Sequence, residues 1–234
     1  MTSCYAIARR PLHIALFLLL LCILSPVRSF ARPVTVAVVG DSIATELGDG
    51  MQGLFRHSRD VRVIKRTRYS TGLVRTDYFN WDRVLREFLR HHHADAIAVV
   101  MGGNDRQSFF VGHHRLQRFS PAWRRHYAQR VARFMRILKG SHAKIFWVGL
   151  PKVESHQMTH DYRILNSIYR REAKRHGFTY VSVWRTFANH NGAYSSFGRF
   201  EGRRQRLRKH DGMHFTEIGS RVLALHVARA MGLR

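Results

Sequence analysis

From Pro33 onward, short apolar runs alternate with longer amphipathic ones, five times over, and this constrains the fold more than any other feature of the chain. Val34 to Val39 has no polar alternation and is rich in β-branched residues, which predicts a strand buried on both faces of a parallel sheet. A helix is expected over 43–56, where Ile43, Leu47, Met51, Leu54 and Phe55 fall near helical spacing. Val61 to Lys65 and Trp81 to Leu89 read as the next strand and helix. The third strand is expected over Ala94 to Met101, closed by Gly102-Gly103, and a long helix over 121–139. Lys144 to Leu150, stopped by Pro151, is the fourth strand; a helix over 161–176 and a fifth strand over Thr179 to Val183 follow, and 216–232 closes the chain as a helix. Parallel neighbours must be joined by crossovers, so the pattern implies an α/β fold of three α/β/α layers around a five-stranded parallel sheet. Ligands of such sheets bind at the carboxyl ends of the strands.

Four short blocks fall at or near those ends. Gly40-Asp41-Ser42 follows the first strand and places a hydroxyl at the start of a helix, where free backbone N–H groups and the positive end of the dipole favour a developing oxyanion. Taken alone, such a serine is more often just a helix N-cap. Ser70-Thr71-Gly72 and Gly102-Gly103-Asn104-Asp105 follow the second and third strands. A glycine lets an N–H approach a substrate oxygen, and an Asn amide is a neutral donor, although both blocks also suit ordinary turns. The last block, Asp211-Gly212-Met213-His214, precedes the closing helix. Its spacing lets the carboxylate accept from Nδ1 of the imidazole and leaves Nε2 free to take the proton of Ser42. A cap or half a metal site is the alternative, but no further ligands stand at metal spacing, and no metal or cofactor is expected.

In order and placement these blocks resemble the SGNH, or GDSL, hydrolase superfamily. Ser70-Thr71-Gly72-Leu73-Val74-Arg75, Asn104-Asp105-Arg106-Gln107, Trp147-Val148-Gly149-Leu150-Pro151 and Asp211 to Thr216 are similar to a bacterial exported branch of it that has been catalogued as a domain of unknown function. The resemblance runs from Val34 to the C-terminus. It implies a flavodoxin-like SGNH hydrolase fold with Ser42 as nucleophile, His214 as general base and then acid, and Asp211 as its orienter. The oxyanion hole would comprise the Ser42 N–H, the Gly72 N–H and the Asn104 side chain.

The first 31 residues read as something other than fold. Arg9 and Arg10 precede an eleven-residue apolar run, Ile14 to Leu24, and Ser29-Phe30-Ala31 has the small-x-small form of a cleavage site. A secretory signal peptide over 1–31, cleaved after Ala31, leaves a single domain over 32–234 and a periplasmic or secreted location. An uncleaved membrane anchor is the alternative, and the run has about half the length needed to span a bilayer. Both cysteines, Cys4 and Cys22, lie in this segment, so cleavage would remove every thiol. The formal charge of +25 falls by three on cleavage, through Arg9, Arg10 and Arg28. In an exported protein that charge suits a solvated surface or attraction to an anionic envelope polymer, rather than a nucleic acid partner.

Three further features bear on the substrate. Arg75 and Arg106, next to the two oxyanion blocks, either flank the pocket and meet a carboxylate or sugar hydroxyl, or pair with Asp77 and Asp105. Residues 189–210 read as a basic loop whose Arg203, Arg204, Arg206 and Arg208 lead into Asp211, and whose Tyr194, Phe197 and Phe200 either stack on sugar rings or are simply solvated. His91-His92-His93 is expected to close the second helix, and Trp123, Tyr127 and Phe134 to lie in the core. Together these readings lead to an esterase that removes O-acyl groups, O-acetyl in particular, from an envelope or exported polysaccharide or a small ester. A polysaccharide O-acyltransferase with the same triad and a non-catalytic polyanion-binding module are the alternatives.

Overall fold

The computed structural model describes residues 32–233; the expected signal segment, 1–31, lies outside them. The described chain forms one compact unit from Pro33 onward. Its central strands are β1 (Val34–Gly40), β2 (Val61–Thr67), β3 (Ala96–Val100), β6 (Lys144–Val148) and β7 (Thr179–Val181). Two hairpins lie outside the sheet: β4 (Phe109–Val111) with β5 (His114–Leu116), and β8 (Phe197–Phe200) with β9 (Arg203–Arg206). The helices are α1 (Ser42–Leu54), α2 (Trp81–His91), α3 (Pro121–Lys139), α4 (His156–His176) and α5 (Glu217–Ala230). Among the described residues no helix is long and apolar enough to cross a membrane.

The sheet runs β2-β1-β3-β6-β7 and every pairing in it is parallel. This is the flavodoxin-like order, in which the chain reverses direction between β1 and β3 and opens a crevice at the strand ends. Helix α1 packs on α5, while α2, α3 and α4 pack on one another, which gives the two outer layers. Val36 to Val39 of β1 and Ile97 to Val100 of β3 are wholly buried, as an unbroken apolar run requires. Trp123, Tyr127 and Phe134 are buried core residues, with Trp123 stacked on Tyr127 at 4.7 Å. His91 ends α2 and His92 caps it, with His91 Nε2 2.9 Å from Glu87 one turn earlier.

The differences from the sequence expectation have local causes. Helix α4 starts five residues early because Ser155 caps it, its side chain accepting from Met158 N–H; the turn it adds is largely polar and carries no apolar signal. Strands β3, β6 and β7 are shorter than their apolar runs, whose remaining residues line loops at the sheet edge. The loop expected over 189–210 contains the hairpin β8–β9, turned by Glu201 at φ 50° and Gly202 at φ 77°, the left-handed pair that a tight two-residue hairpin turn demands.

Candidate active site

Gly40 ends β1 at φ 143°, and a Cβ there would lie 1.7 Å from the Val100 carbonyl oxygen, so only glycine fits where β1 and β3 close on each other. The next residue, Asp41, is fully buried and accepts three backbone N–H groups: Ile43 at 3.1 Å, Gly102 at 3.0 Å and Gly103 at 2.9 Å. One carboxylate thus caps α1 and pins the glycine loop after β3. Burial raises its pKa to about 7, against the opposing effect of the N–H bonds. Ser42 follows as the first residue of α1, where its N–H has no helical acceptor.

The distant Asp-x-x-His turn meets this serine. His214 Nε2 is 2.9 Å from Ser42 Oγ, and His214 Nδ1 is 2.6 Å from Asp211 Oδ2. The other oxygen of Asp211 accepts from the N–H groups of Met213 and His214, each at 2.9 Å. Desolvation is the largest single influence on this carboxyl and pushes its pKa up, but the bond from His214 and the two N–H bonds outweigh it and bring the pKa to about 2. Gly212, at φ 65°, makes the bend, and Glu154 N–H holds its carbonyl at 3.0 Å. A further clamp comes from α1: Glu46, one turn past Ser42, accepts from Phe215 N–H at 3.1 Å and from Lys209 Nζ at 2.9 Å. The helix that carries the serine therefore also holds both flanks of the histidine turn.

The expected oxyanion donors stand on the two neighbouring loops. Asn104 Nδ2 donates to the Thr71 carbonyl at 2.9 Å, which fixes the amide and leaves its second hydrogen to give. The Gly72 N–H has no acceptor among the described residues. Asp105 shapes this loop: it is buried, accepts from Leu73 N–H at 2.9 Å and Val74 N–H at 2.8 Å, and takes the Tyr127 hydroxyl at 2.7 Å. A Cβ on Gly72 would lie 2.2 Å from its Oδ1. Burial raises the pKa of Asp105 above the usual carboxylate value. A cleft of 230 Å³ opens here, with Gly72, Arg75, Tyr78 and Asn104 on its walls.

The residues expected to tune the substrate fare differently. Arg75 sits on that cleft, half exposed, and forks onto Asp77 with bonds of 2.8 to 3.0 Å; the arginine lowers the Asp77 pKa to about 2. Arg106 pairs with neither of the acids the sequence suggested. Its Nε donates to the buried Asp161 of α4 at 2.9 Å, so it braces the Asn104 loop against that helix instead of reaching into the cleft. Of the four arginines before Asp211, Arg203, Arg204 and Arg206 are exposed, but Arg208 is fully buried, with its guanidinium 4.2 Å from the Phe215 ring and Nη2 donating to Lys152 O. Burial brings its pKa down to about 10. Each aromatic ring proposed for sugar stacking has a guanidinium over it: Arg204 and Arg206 over Phe197, Arg221 over Phe200 and, at 5.6 Å, Arg208 over Tyr194. Asp41, Glu46 and Asp161 were not legible as site residues. Asp41 was visible inside its motif, and Glu46 at helical spacing from Ser42, but their partners lie far away in sequence.

No curated protein sequence matches the chain. Among solved structures, the periplasmic domain of lipopolysaccharide acetyltransferase from Salmonella ser. Paratyphi A superposes with a TM-score of 0.60 at 12% identity, over 85% of this chain and 84% of that one. A catalytic mutant of the acetylxylan esterase Axe2 from Geobacillus stearothermophilus gives 0.59 at 15% identity, over 86% and 95%. The structure of TesA gives 0.58 at 18% identity, over 84% and 97%. The family described as "Protein of unknown function (DUF459)" matches residues 35–230. The chain belongs to that family and shares the fold of these hydrolase and acetyltransferase structures.

Proposed function

We propose that the chain is an exported serine esterase that removes O-acyl groups, O-acetyl foremost, from a polysaccharide through an acyl-enzyme on Ser42. The observation that carries this reading is the continuous relay from Ser42 Oγ through both ring nitrogens of His214 to Asp211, at 2.9 and 2.6 Å. As Oγ attacks the ester carbonyl carbon, Nε2 takes the hydroxyl proton, and the ionised Asp211 stabilises the imidazolium. The tetrahedral oxyanion accepts from the N–H groups of Ser42 and Gly72 and from Asn104 Nδ2. Collapse expels the sugar hydroxyl, which leaves with the proton from Nε2. Water then enters, gives a proton to Nε2 and attacks the acyl carbon, and Oγ departs with that proton to release the acid and restore the serine.

The carbohydrate assignment is supported by the names of two structural neighbours, an acetylxylan esterase and a lipopolysaccharide acetyltransferase. The second favours a transferase reading, in which a sugar hydroxyl replaces water in the last step; product analysis with and without a glycan acceptor separates the two. Export rests on the signal-like residues 1–31, with N-terminal sequencing of the exported protein as its check. The high positive charge supports accumulation at an anionic envelope through its long-range field. A fluorophosphonate probe tests the core of the reading. Labelling of the wild type that disappears in Ser42→Ala is expected, and a wild type that does not label returns the chain to the class of binding modules.

A further inference from the structure

A second cleft, of 390 Å³, lies between α1 and α5 and is lined in part by sequence neighbours of the triad residues. Its upper wall is the back of the catalytic turn itself. Lys209 stands two residues before Asp211, Phe215 follows His214, and Glu46 lies one turn past Ser42. From there the cleft descends beside α1 to Gly53, a run of about 16 Å from Ser42 at the helical rise. Its volume is in the range of ligand sites.

The chemistry of the walls restricts the occupant. Three of the chain's fifteen acidic residues, Glu46, Asp49 and Glu217, line this one cleft, and they face three cations, Arg56, Lys209 and Arg221. On a protein of formal charge +25, this cleft is charge-balanced, which disfavours an anionic ligand and suits a neutral one rich in hydroxyls. The side chains of Arg56 and Glu217 have no hydrogen bond or ion pair among the described residues, so a donor and an acceptor stand free for a ligand. Tyr69, 54% exposed and three residues before the oxyanion glycine, offers a ring to an apolar sugar face.

We infer that the α1–α5 cleft is a glycan subsite, which binds neutral pyranose rings next to the acylated residue so that the polymer lies across the triad. The inference rests on the polysaccharide reading above and names where the rings beyond the reacting one are held. The two glycines of the cleft differ in a useful way. Gly50 is required for packing, because a Cβ there would lie 2.2 Å from the Ser220 carbonyl, whereas a Cβ on Gly53 meets nothing within 4 Å. A side chain at position 53 therefore starts from open space on the wall of the cleft, clear of the contact that Gly50 makes with α5.

The experiment compares wild type and Gly53→Trp on O-acetylated xylotetraose and on p-nitrophenyl acetate, reading the ratio of the two kcat/KM values in each protein. The ratio is expected to fall about tenfold or more in the variant, and Tyr69→Ala to lower it in the same direction. An unchanged ratio, including equal losses on both esters, overturns the subsite. Binding is then measured without chemistry, by titrating unacetylated tetrasaccharides of xylose, glucose and N-acetylglucosamine, and the anionic tetragalacturonate, into Ser42→Ala and into Ser42→Ala with Gly53→Trp. Binding that the tryptophan abolishes supports the subsite even if no ester is turned over, an outcome that would defeat the esterase reading alone. Binding that the tryptophan leaves intact, no binding of any tetrasaccharide, or preference for an oligogalacturonate refutes the inference.

Discussion

At the scale of single residues, the site divides into groups that announce themselves in sequence and groups that do not. Ser42, Asp211 and His214 sit in short blocks whose order and placement together point to a Ser-His-Asp relay, and Gly72 and Asn104 follow strands that the apolar runs locate. Arg208 and Arg106 were misread because the number and position of a guanidinium's partners depend on contacts across the fold: Phe215 and Lys152 for one, Asp161 for the other. Asn104→Ala is expected to lower kcat by about 10² to 10³, with KM little changed, because the amide bonds mainly to charge that develops in the transition state. Steady-state kinetics on a short-chain aryl ester checks this, and a rise in KM alone would reassign Asn104 to ground-state binding. For Asp41, burial raises the folded-state pKa from 3.8 to about 7, so the folded chain holds this proton more tightly than the unfolded one. The stability this contributes is full below about pH 4 and is lost as pH rises through about 7, at a slope of about 1.4 kcal/mol per pH unit. Asp41→Asn carries no such proton. Its stability relative to wild type should therefore rise between about pH 4 and 7, as read from denaturant unfolding at several pH values. A difference independent of pH would show that the carboxyl is ionised throughout.

At the scale of elements, the inner strands β1, β3 and β6 were legible because burial on both faces erases polar alternation, and the crossover helices because each must bury a stripe. The hairpin β8–β9 was not, since Phe-Gly-Arg-Phe and Arg-Arg-Gln-Arg carry no hydrophobic period and only the Glu201-Gly202 turn marks them. Helix α1 permits a controlled comparison of two glycines in one element. Gly50→Ala forces a methyl against the Ser220 carbonyl and should destabilise by about 1 to 3 kcal/mol through separation of α1 from α5. Gly53→Ala adds a methyl in open space and should stabilise by up to about 1 kcal/mol through helix propensity. Thermal unfolding of the two variants decides the matter, and equal effects of one sign would contradict the packing described for the helix pair.

At the scale of the whole molecule, the fold class followed from the order of the elements, while the balance of charge became interpretable only with the surface in view. The formal charge of the chain is +25, and several ion pairs among the described residues, such as Arg75 with Asp77 and Arg90 with Glu87, lie exposed, where each adds little. Repulsion among the remaining cations should dominate. Raising the salt from about 10 mM to about 150 mM shortens the screening length from about 30 Å to about 8 Å and is expected to raise the melting temperature. A melting temperature that falls with salt over this range would mean that attractive pairs outweigh the net charge.

The bond between Ser42 and His214 joins residues 172 positions apart, and Glu46 on α1 secures the same connection from its side. Until the segment that carries His214 has been seated, the hydroxyl at the start of α1 has no base beside it and is as inert as any serine. Reactivity is therefore a property of the finished molecule. A chain still being synthesised, or stretched through a narrow channel, does not yet hold the pairing of Ser42 with His214 on which the proposed acyl transfer depends.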